Sequence, residues 1–425
     1  MSHFALICPP FYSHIRLFEA VGEELARRGH RATFVLNGGA AGMVEAEGRG
    51  LAAVDVRERP REELDRIVAR AAKGGGPIAV LRTVKDSAAL TDELCRQAPA
   101  LLDRLGVDAV IGDQMEPAAG LIAAHLGLPL VSLASALPIH DDPSVPLPFL
   151  SWPYDPSEKG LKRNRGGEKV ARLLLTRQRR TIAAWSKRFG LARRDSLADC
   201  LSEVCQISQM VPSFDFPRAP SPIRHAVGPI RRRDRGAAPI ALRRPGRRPL
   251  VFASFGTLQG HRADLFGKVA SACRTLGVDC LVAHCGALGA KEAGRIGATF
   301  VTDFAPQRTI LAQASVCVTH AGLNTVLDSL EAGVPMLAIP MAFDQPGIAA
   351  RIVYHGVGER VPRVALSEAK IRACLERLLT EARFRDGART IGRDIENSGG
   401  AALAADIVER VVLTDGRLSG GEQPA

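Results

Sequence analysis

The feature that most constrains the fold is a strand–helix–strand pattern in the last third of the chain. Two short apolar runs, at 315–319 and 335–340, flank a helical pattern at 324–332 that ends at Gly333. Apolar runs without alternation are typical of strands buried on both faces, and crossover helices join such strands in parallel sheets. The segment therefore predicts part of a parallel sheet covered by helices.

The same alternation of strand and helix patterns runs through both halves of the chain. Strand patterns lie at 4–8, 32–36, 51–56, 109–111, 130–133, 204–211 and 225–227, and then at 250–255, 280–284 and 299–301. We therefore predict an α/β protein with two Rossmann-like α/β/α domains. The first domain is expected at 1–228 and the second at 249–413, with an Arg- and Pro-rich linker at 229–248 and a disordered tail at 414–425.

The cysteine pattern and the apolar runs indicate in which compartment the protein functions. The 425 residues include nine cysteines without a Cys-x-x-Cys pair, and no ligand spacing indicates a metal site. Dispersed cysteines suit a reducing compartment. No secretory signal precedes the first apolar strand, and no apolar run approaches the length of a membrane span. We therefore expect a cytoplasmic protein without a transmembrane segment.

Two turns in the second half could bind phosphate. One lies inside the strand–helix–strand pattern and contains His320, Gly322, Asn324 and Thr325. The other contains Thr257 and follows the first strand of the second domain. A helix N-terminus offers free N–H groups and the positive end of the helix dipole, and α/β sheets bind their ligands at the C-terminal ends of the strands. Taken singly, each turn could equally be an ordinary strand–helix connection.

Two polar residues in the first half stand where strands end. His14 opens the first helix directly after the first strand, and Asp113 ends the strand pattern that begins at 109. A histidine can act as a general base near neutral pH, and a carboxylate bound to its ring fixes the tautomer and stabilises the imidazolium. Each residue also has an ordinary interpretation, because single histidines are usually structural and Asp113 could cap the helix that follows.

A series of short motifs spans residues 304–351. In order, they are Phe304-Ala305-Pro306-Gln307, His320-Ala321-Gly322-Leu323-Asn324-Thr325, Asp328, Gly333-Val334-Pro335 and Asp344-Gln345. This series resembles the nucleotide-sugar signature of the family 1 glycosyltransferases, which use UDP-sugars. Phe304 and Leu323 replace tryptophans of that pattern, and Asp328 replaces a glutamate. Further motifs, at 9–14, 254–262 and 342–347, are similar to those of the bacterial zeaxanthin glucosyltransferases of carotenoid biosynthesis.

The resemblance implies a GT-B fold, in which the nucleotide-sugar binds the C-terminal domain and the acceptor binds the N-terminal domain across a cleft. It also implies an inverting transfer of glucose from UDP-glucose to the 3-hydroxyl groups of zeaxanthin, which gives a monoglucoside and then a diglucoside. On this interpretation His14 deprotonates the acceptor and Asp113 orients His14. Asp344 and Gln345 would bind the transferred sugar.

The resemblance further implies the composition of the UDP site. Phe304 would stack on the uracil with Gln307 nearby, and Asp328 would bind the ribose hydroxyls. His320, with the N–H groups around Asn324 and Thr325, would hold the pyrophosphate. Gly322 would belong to the same UDP-binding turn, and Thr257 would help at the phosphate or the uridine. The chain has no Asp-x-Asp metal pair, which agrees with a metal-independent mechanism that needs no cofactor beside the donor substrate.

Positive charge is concentrated in two segments. The net charge is +11, and residues 159–194 contain thirteen Lys/Arg and one Glu, while residues 231–248 contain eight Arg and one Asp. Few aromatic residues and no nucleic-acid motif accompany them, so we expect no nucleic-acid partner. The pattern at 168–189 predicts one basic amphipathic helix with Trp185, which could lie on the anionic inner surface of the cytoplasmic membrane. Alternatively, this helix packs its apolar face on its own domain.

The sequence leaves other functions open. The same fold would suit a UDP-N-acetylglucosamine 2-epimerase, or a UDP-glycosyltransferase for another lipid or polyketide acceptor. A nucleotide-sugar-binding protein without activity is a third alternative. An epimerase needs neither an acceptor cleft nor the pair of His14 and Asp113, so that pair distinguishes the enzyme classes.

Overall fold

A computed structural model describes residues 1–46, 48, 50–72, 77–139, 142–232 and 248–418. The first half forms β1 (His3–Ile7), α1 (Tyr12–Arg27), β2 (Arg31–Leu36), β3 (Leu51–Asp55), α2 (Arg61–Ala72), α3 (Pro77–Leu105), β4 (Ala109–Asp113), α4 (Ala118–Leu126), β5 (Leu130–Ala134), α5 (Glu158–Leu174), α6 (Thr176–Arg188), β6 (Gln206–Ser208) and β7 (Arg224–Ala226). Their order across the sheet is β3-β2-β1-β4-β5-β6-β7, and every pair of neighbours is parallel.

The second half forms a six-stranded parallel sheet. Its elements are β8 (Leu250–Ser254), α7 (Gly256–Gln259), α8 (Ala263–Thr275), β9 (Asp279–Ala283), α9 (Ala290–Ala293), β10 (Phe300–Thr302), α10 (Gln307–Leu311), β11 (Val316–Thr319), α11 (Leu323–Glu331), β12 (Met336–Ala338), α12 (Gln345–Tyr354), β13 (Gly358–Arg360), α13 (Glu368–Thr380), α14 (Ala382–Glu396) and α15 (Gly400–Leu418). The strand order is β10-β9-β8-β11-β12-β13.

Both sheets are buried on both faces, which explains their continuous apolar strands. In β1, Phe4 and Leu6 belong to one core cluster while Ala5 and Ile7 belong to another on the opposite face. The same division holds in β8, since successive side chains of a strand point to opposite faces. The prediction of two Rossmann-like α/β/α units is therefore confirmed.

In each sheet the strand order reverses next to the first strand of the unit. The reversal lies between β1 and β4 in the first sheet and between β8 and β11 in the second. Doubly wound sheets bind ligands at the C-terminal ends of the two strands that flank such a reversal. His14 and Asp113 stand at one of these points, and Thr257 and His320 at the other.

The last helix crosses back to the first unit. Ala404, Ile407 and Val408 of α15 belong to the hydrophobic core beside β1 and α1. The sequence pattern predicts these residues in the second unit, at 249–413, so the structure differs there. Just before this helix the chain returns to the first unit beside Val227, where the N–H of Gly400 donates to the Val227 carbonyl at 2.7 Å.

Parts of the predicted boundaries lie outside the described residues. Residues 233–247 of the predicted linker and 419–425 of the predicted tail are among them. The described helix α15 continues to Leu418, which is inside the segment predicted as tail.

The prediction of one basic helix at 168–189 is wrong. The structure has two helices, α5 and α6, which meet at Leu175. Trp185 on α6 is buried, and its Nε1–H donates to Asp92 Oδ1 on α3 at 2.8 Å. The apolar face of α6 thus packs on its own unit, as the alternative interpretation has it.

An ion pair ties the two units together at the edge of the cleft. The guanidinium of Arg351 on α12 is 1% exposed, and its Nη2 lies 2.7 Å from Asp215 Oδ1 in the first half of the chain. The same guanidinium lies over the ring of Phe216, 4.2 Å from its centroid. Nearby, the N–H of Gly347 donates to the carbonyl of Pro148 at 2.9 Å. The strand ends of the two sheets therefore lie close to one another.

Candidate active site

The first half of the site is a histidine–carboxylate pair. His14 lies in the first turn of α1, and its Nδ1 is 2.8 Å from Asp113 Oδ2 at the end of β4. An ionised carboxylate only accepts hydrogen bonds, so Nδ1 carries the proton and the neutral ring keeps its lone pair on Nε2. With 14% of its side chain exposed, His14 is reachable from the cleft. The pair is suited to general base catalysis through Nε2.

Two further donors hold the carboxylate of Asp113. The hydroxyl of Ser135 donates to Oδ2 at 2.6 Å, and the N–H of Met115 donates to Oδ1 at 2.8 Å. Asp113 is itself buried. These hydrogen bonds hold the carboxylate in one orientation, which also fixes the ring of His14.

The electrostatic surroundings favour a proton on His14. Burial disfavours the charged imidazolium, but the charge and hydrogen bond of Asp113 and the charge of Asp344 raise the pKa of His14 above its ordinary value. Asp344 belongs to the second unit, so the base is influenced by groups from both sides of the cleft.

The second half of the site consists of two turns that touch. Gly256 after β8 has φ +68°, and a Cβ added there would be 2.9 Å from Cε1 of His320 after β11. A Cβ on Gly322 would be 2.5 Å from His320 Nε2. The imidazole therefore fills the space that both glycines leave open, and Thr257 lies exposed beside it.

His320 is neutral and incompletely hydrogen-bonded. Burial lowers the pKa of His320 to about 4, against a smaller opposing effect of a hydrogen bond with the Ser254 backbone. Its buried Nδ1 has no hydrogen-bond partner among the described residues. A buried ring nitrogen without a partner is costly, and an anionic oxygen placed there would satisfy it.

Backbone strain is concentrated at this edge of the second sheet. Among the described residues, the non-glycine residues with positive φ are Cys285, Ala321 and Phe343, with φ between 55° and 66°. They follow β9, β11 and β12 respectively. Left-handed conformations of this kind cluster at ligand sites, because the surrounding fold must hold them.

The helix α11 begins at this edge and carries three of the predicted residues. Asn324 is exposed at its first turn, while Thr325 and Asp328 are buried. The Nε2 of Gln307 donates to Asp328 Oδ2 at 2.5 Å, and the hydroxyl of Thr325 donates to Gln307 Oε1 at 3.1 Å. The structure thus brings Gln307, Thr325 and Asp328 into one cluster, as the signature requires.

Phe304 stands apart from this cluster as an open aromatic surface. Its side chain is 70% exposed, and the ring lies close to Gly286, where an added Cβ would be 3.5 Å away. An exposed phenyl ring at the rim of a crevice offers a face on which a planar base can stack.

The two predicted sugar-binding residues differ in their surroundings. Asp344 Oδ2 accepts a hydrogen bond from the N–H of Leu137 in the first unit, at 2.9 Å. Gln345 Oε1 accepts from the N–H groups of Met341 and Ala342, so its carbonyl is used inside its own loop. Asp344 therefore faces the cleft, and Gln345 supports the loop that presents it.

Comparison with known proteins identifies the family. The sequence model described as "UDP-glucoronosyl and UDP-glucosyl transferase" matches residues 191–393. A zeaxanthin glucosyltransferase of Pantoea ananas is 42% identical over 97% of both chains, and one of Pseudescherichia vulneris is 40% identical over 97% of this chain and 98% of its own length. This chain belongs to the UDP-glucuronosyl and UDP-glucosyl transferase family. It is therefore a glycosyltransferase.

Solved glycosyltransferases of the GT-B type share the fold. CalG4, the calicheamicin glycosyltransferase, has a TM-score of 0.74 at 23% identity over 98% of this chain and 99% of its own. The glycosyltransferase of kitacinnamycin has a TM-score of 0.73 at 20% identity over 96% of this chain and 99% of its own. The predicted GT-B architecture of this glycosyltransferase is confirmed.

Sequence reasoning missed several residues of the glycosyltransferase site. Ser135 and Gln209 directly follow β5 and β6, so the rule on strand ends could have found them. Gln209 is buried, and its Nε2 donates to the Ser135 carbonyl at 3.0 Å and to Asn324 Oδ1 at 2.9 Å. Arg231, which lies 2.5 Å from Asp328, begins a run of arginines whose pattern indicates no particular contact.

Proposed function

We propose that this glycosyltransferase moves glucose from UDP-glucose to the 3-hydroxyl groups of zeaxanthin, giving the monoglucoside and then the diglucoside, with inversion at the anomeric carbon. The observation that carries the proposal is the 42% identity to the Pantoea ananas zeaxanthin glucosyltransferase along 97% of both chains. The pairing of His14 with Asp113 supports it, because hydroxyl acceptors need a base at this position.

The chemical step requires a single displacement. The acceptor oxygen forms a bond to the anomeric carbon of glucose while the bond from that carbon to the diphosphate oxygen breaks. His14 Nε2 takes the hydroxyl proton, and Asp113 stabilises the imidazolium that forms. UDP leaves with the bonding electrons, and the proton passes from His14 to solvent afterwards.

On the donor side, the proposal assigns each group to the residue whose chemistry suits it. Phe304 stacks on uracil, Gln307 lies beside it, and Asp328 accepts from the ribose hydroxyls. His320 Nδ1 and the N-terminal turn of α11 face the diphosphate, where the leaving charge develops. The pyrophosphate residues are Thr257, His320, Gly322, Asn324 and Thr325. Asp344 and Gln345 are assigned to the glucosyl group.

We propose that these groups bind the diphosphate without a metal ion. A neutral His320 that gains a proton on donor binding supplies one positive charge, and the α11 N-terminus supplies partial charge. Activity that is unchanged by EDTA would agree with this proposal, whereas loss of activity that Mg²⁺ restores would contradict it.

The test of the reaction uses purified protein, UDP-glucose with labelled glucose, and zeaxanthin in detergent. Chromatography is expected to show a monoglucoside that is converted to a diglucoside. No labelled carotenoid would contradict the proposal. Conversion of UDP-N-acetylglucosamine to its 2-epimer, or transfer to other lipid or polyketide acceptors only, would favour the alternative enzymes. Binding of UDP-glucose without any turnover would favour a non-enzymatic binder.

We propose that the acceptor is reached from an anionic membrane surface at the inner face of the cytoplasmic membrane. No helix within the described ranges is both long enough and apolar enough to cross a bilayer. The outer face of α5 combines exposed Lys162, Arg165 and Lys169 with the aliphatic side chains of Val170 and Leu173, which are 58% and 74% exposed. Such a face binds anionic headgroups by charge and inserts its apolar groups between them.

Vesicle binding tests this surface directly. Wild-type protein is expected to sediment with vesicles that contain phosphatidylglycerol, and less so with neutral vesicles or at high salt. The triple change of Lys162, Arg165 and Lys169 to Gln should abolish the difference. A matched control removes three exposed arginines from α14 (Arg383, Arg389 and Arg393 to Gln) and should leave binding intact. Equal loss in both triple variants would contradict a specific role for α5.

A further inference from the structure

The buried carboxylate of Asp328 is contacted by side chains from two other parts of the chain. It lies on α11, with 8% of the residue exposed. Oδ2 accepts a hydrogen bond from Gln307 at 2.5 Å, and Oδ1 lies 2.5 Å from Arg231 Nη2. Burial raises the pKa of Asp328, while the positive charge of Arg231 and the Gln307 hydrogen bond act in the opposite direction.

Arg231 reaches this carboxylate from the segment that connects the two units. It follows the buried residues Val227 and Ile230, just beyond β7. Its Nη1 donates to Glu331 Oε2 at 2.7 Å, so one guanidinium bridges two acidic residues of α11 that are three positions apart. The bridge fixes the planar guanidinium, although 25% of the Arg231 side chain is exposed.

The Asp328 carboxylate keeps unused acceptor capacity, because its buried Oδ1 has no hydrogen-bond partner among the described residues although Arg231 Nη2 lies close to it. An ionised carboxylate has about four acceptor positions, of which Gln307 uses one and Arg231 faces another. The remaining positions suit neighbouring hydroxyl groups, such as the 2′- and 3′-hydroxyls of ribose. A protonated Asp328 would lose this ability, because one oxygen would become a donor.

We propose that Arg231 is a positioning residue of the donor site, which holds the Asp328 carboxylate oriented toward the ribose hydroxyls and so favours ribonucleotide over 2′-deoxyribonucleotide donors. The inference rests on the proposed UDP-glucose function. A site built to accept from a hydroxyl discriminates against an analogue that lacks it, because the buried acceptor is then left without a partner. Arg231 acts through Asp328 and takes no part in the chemical step.

The neighbouring residue offers a matched control. Arg232 Nη2 donates to Glu23 Oε1 on α1 at 2.8 Å, so it contacts the first unit and not the donor cluster. Arg232→Ala removes one positive charge from the same segment, as Arg231→Ala does. It leaves the contact of Arg231 with Asp328 in place.

The test is titration calorimetry with UDP and 2′-deoxy-UDP, which requires neither acceptor nor turnover. Wild type should bind UDP about 10- to 100-fold more tightly, as one hydrogen bond to a charged group would give. In Arg231→Ala this preference should fall about tenfold, and more at low pH, where Asp328 is protonated more readily. Arg231→Lys should restore part of the preference, and Arg232→Ala should leave it unchanged.

Two results would overturn the inference in distinguishable ways. In the first, wild type binds UDP, and Arg231→Ala changes the affinities for UDP and 2′-deoxy-UDP by the same factor or leaves both unchanged. Arg231 then has no positioning role, and the proposed function stands. If wild type binds no UDP, both the proposed donor and the role of Arg231 are wrong.

Discussion

The side chains of Gln209 and Asn324 join the two halves of the active site. Gln209 Nε2, next to the first sheet, donates to Asn324 Oδ1 at the start of α11, at 2.9 Å. The same nitrogen donates to the carbonyl of Ser135, whose hydroxyl binds Asp113. A continuous series of hydrogen-bonded residues therefore runs from Asn324 at the start of α11 to His14.

Replacement of Gln209 by Leu should lower both kcat and the free energy of unfolding. The change leaves the buried Ser135 carbonyl without its donor, which costs about 1–3 kcal/mol in the free energy of unfolding. We expect kcat to fall at least about tenfold, because small displacements of a base are costly to the rate. Gln206→Leu is the control, since the side-chain amide of Gln206 donates to the nearby Ser202 carbonyl at 2.9 Å instead. An unchanged kcat in Gln209→Leu, measured with urea unfolding in parallel, would contradict this role.

The pH dependence of the rate should report the pair of His14 and Asp113. The base must be unprotonated, so kcat/KM should rise with pH through a pKa above the ordinary histidine value. Asp113→Asn removes the charge that raises this pKa, so the acidic limb should move to lower pH while kcat falls. His14→Ala should reduce kcat about 100- to 10,000-fold. His125→Ala, which removes an exposed ring stacked on Phe189, should leave the profile unchanged. An acidic limb that stays in place in Asp113→Asn would argue against the pairing.

Donor binding should be accompanied by proton uptake at His320. In the free protein burial lowers the pKa of His320 to about 4, so the ring is neutral at pH 6. The negative charge of a diphosphate at Nδ1 would raise this pKa, and a proton would be bound together with UDP. Calorimetry at pH 6 in buffers of different ionisation heat measures the number of protons taken up. His320→Gln should abolish the uptake and weaken UDP binding; the same uptake in this variant would assign the proton to another group.

The lowered pKa of His320 also predicts a pH dependence of stability without ligand. Between about pH 6.5 and 4 the unfolded chain binds a proton at this histidine and the folded chain does not. The free energy of unfolding should therefore decrease as the pH falls through this range. His320→Gln should make this dependence shallower in urea titrations at pH 4.5 and 7. Equal slopes for wild type and variant would contradict the prediction.

The buried pair of Arg351 and Asp215 should be important for stability. Arg351→Met leaves Asp215 with one cationic partner fewer in a nearly closed site, and loss of one member of a buried pair costs about 3–5 kcal/mol. Urea unfolding measures the change. Arg383→Met removes a cation from the exposed pair with Glu381 and should cost less than about 1 kcal/mol. Similar effects of the two substitutions would show that burial of the first pair is energetically unimportant.

The sequence predicted those parts of the site that depend on position along a strand. His14, Asp113, Thr257 and His320 were found because each lies at or just after the C-terminal end of a predicted strand. The structure adds that these strand ends lie beside the reversals of strand order. Contacts between distant segments have no such local pattern. The bridge from Arg231 to Asp328 depends on the path of the connecting segment, and the contact of Gln209 with Asn324 depends on how the two units meet.

Helix faces were harder to assign for a related reason. A basic amphipathic helix with one tryptophan satisfies the patterns of a surface helix and of a membrane-bound helix equally. The decisive fact is that Asp92, on another helix, accepts the indole N–H of Trp185. Similarly, the apolar face of α15 matches either core, and only the return of the chain past Val227 assigns it to the first.

The hydrogen bond between Gly400 and Val227 has a mechanical consequence. The described chain leaves the first unit beyond Val227 and returns to it at Gly400, and these two points lie side by side. Two connections side by side allow the two units to rotate relative to each other about the line that passes through both connections. They oppose rotation about either connection alone. Any relative motion of the two units should therefore follow one hinge direction, which keeps His14 of the first unit in a constant relation to the turn that contains His320.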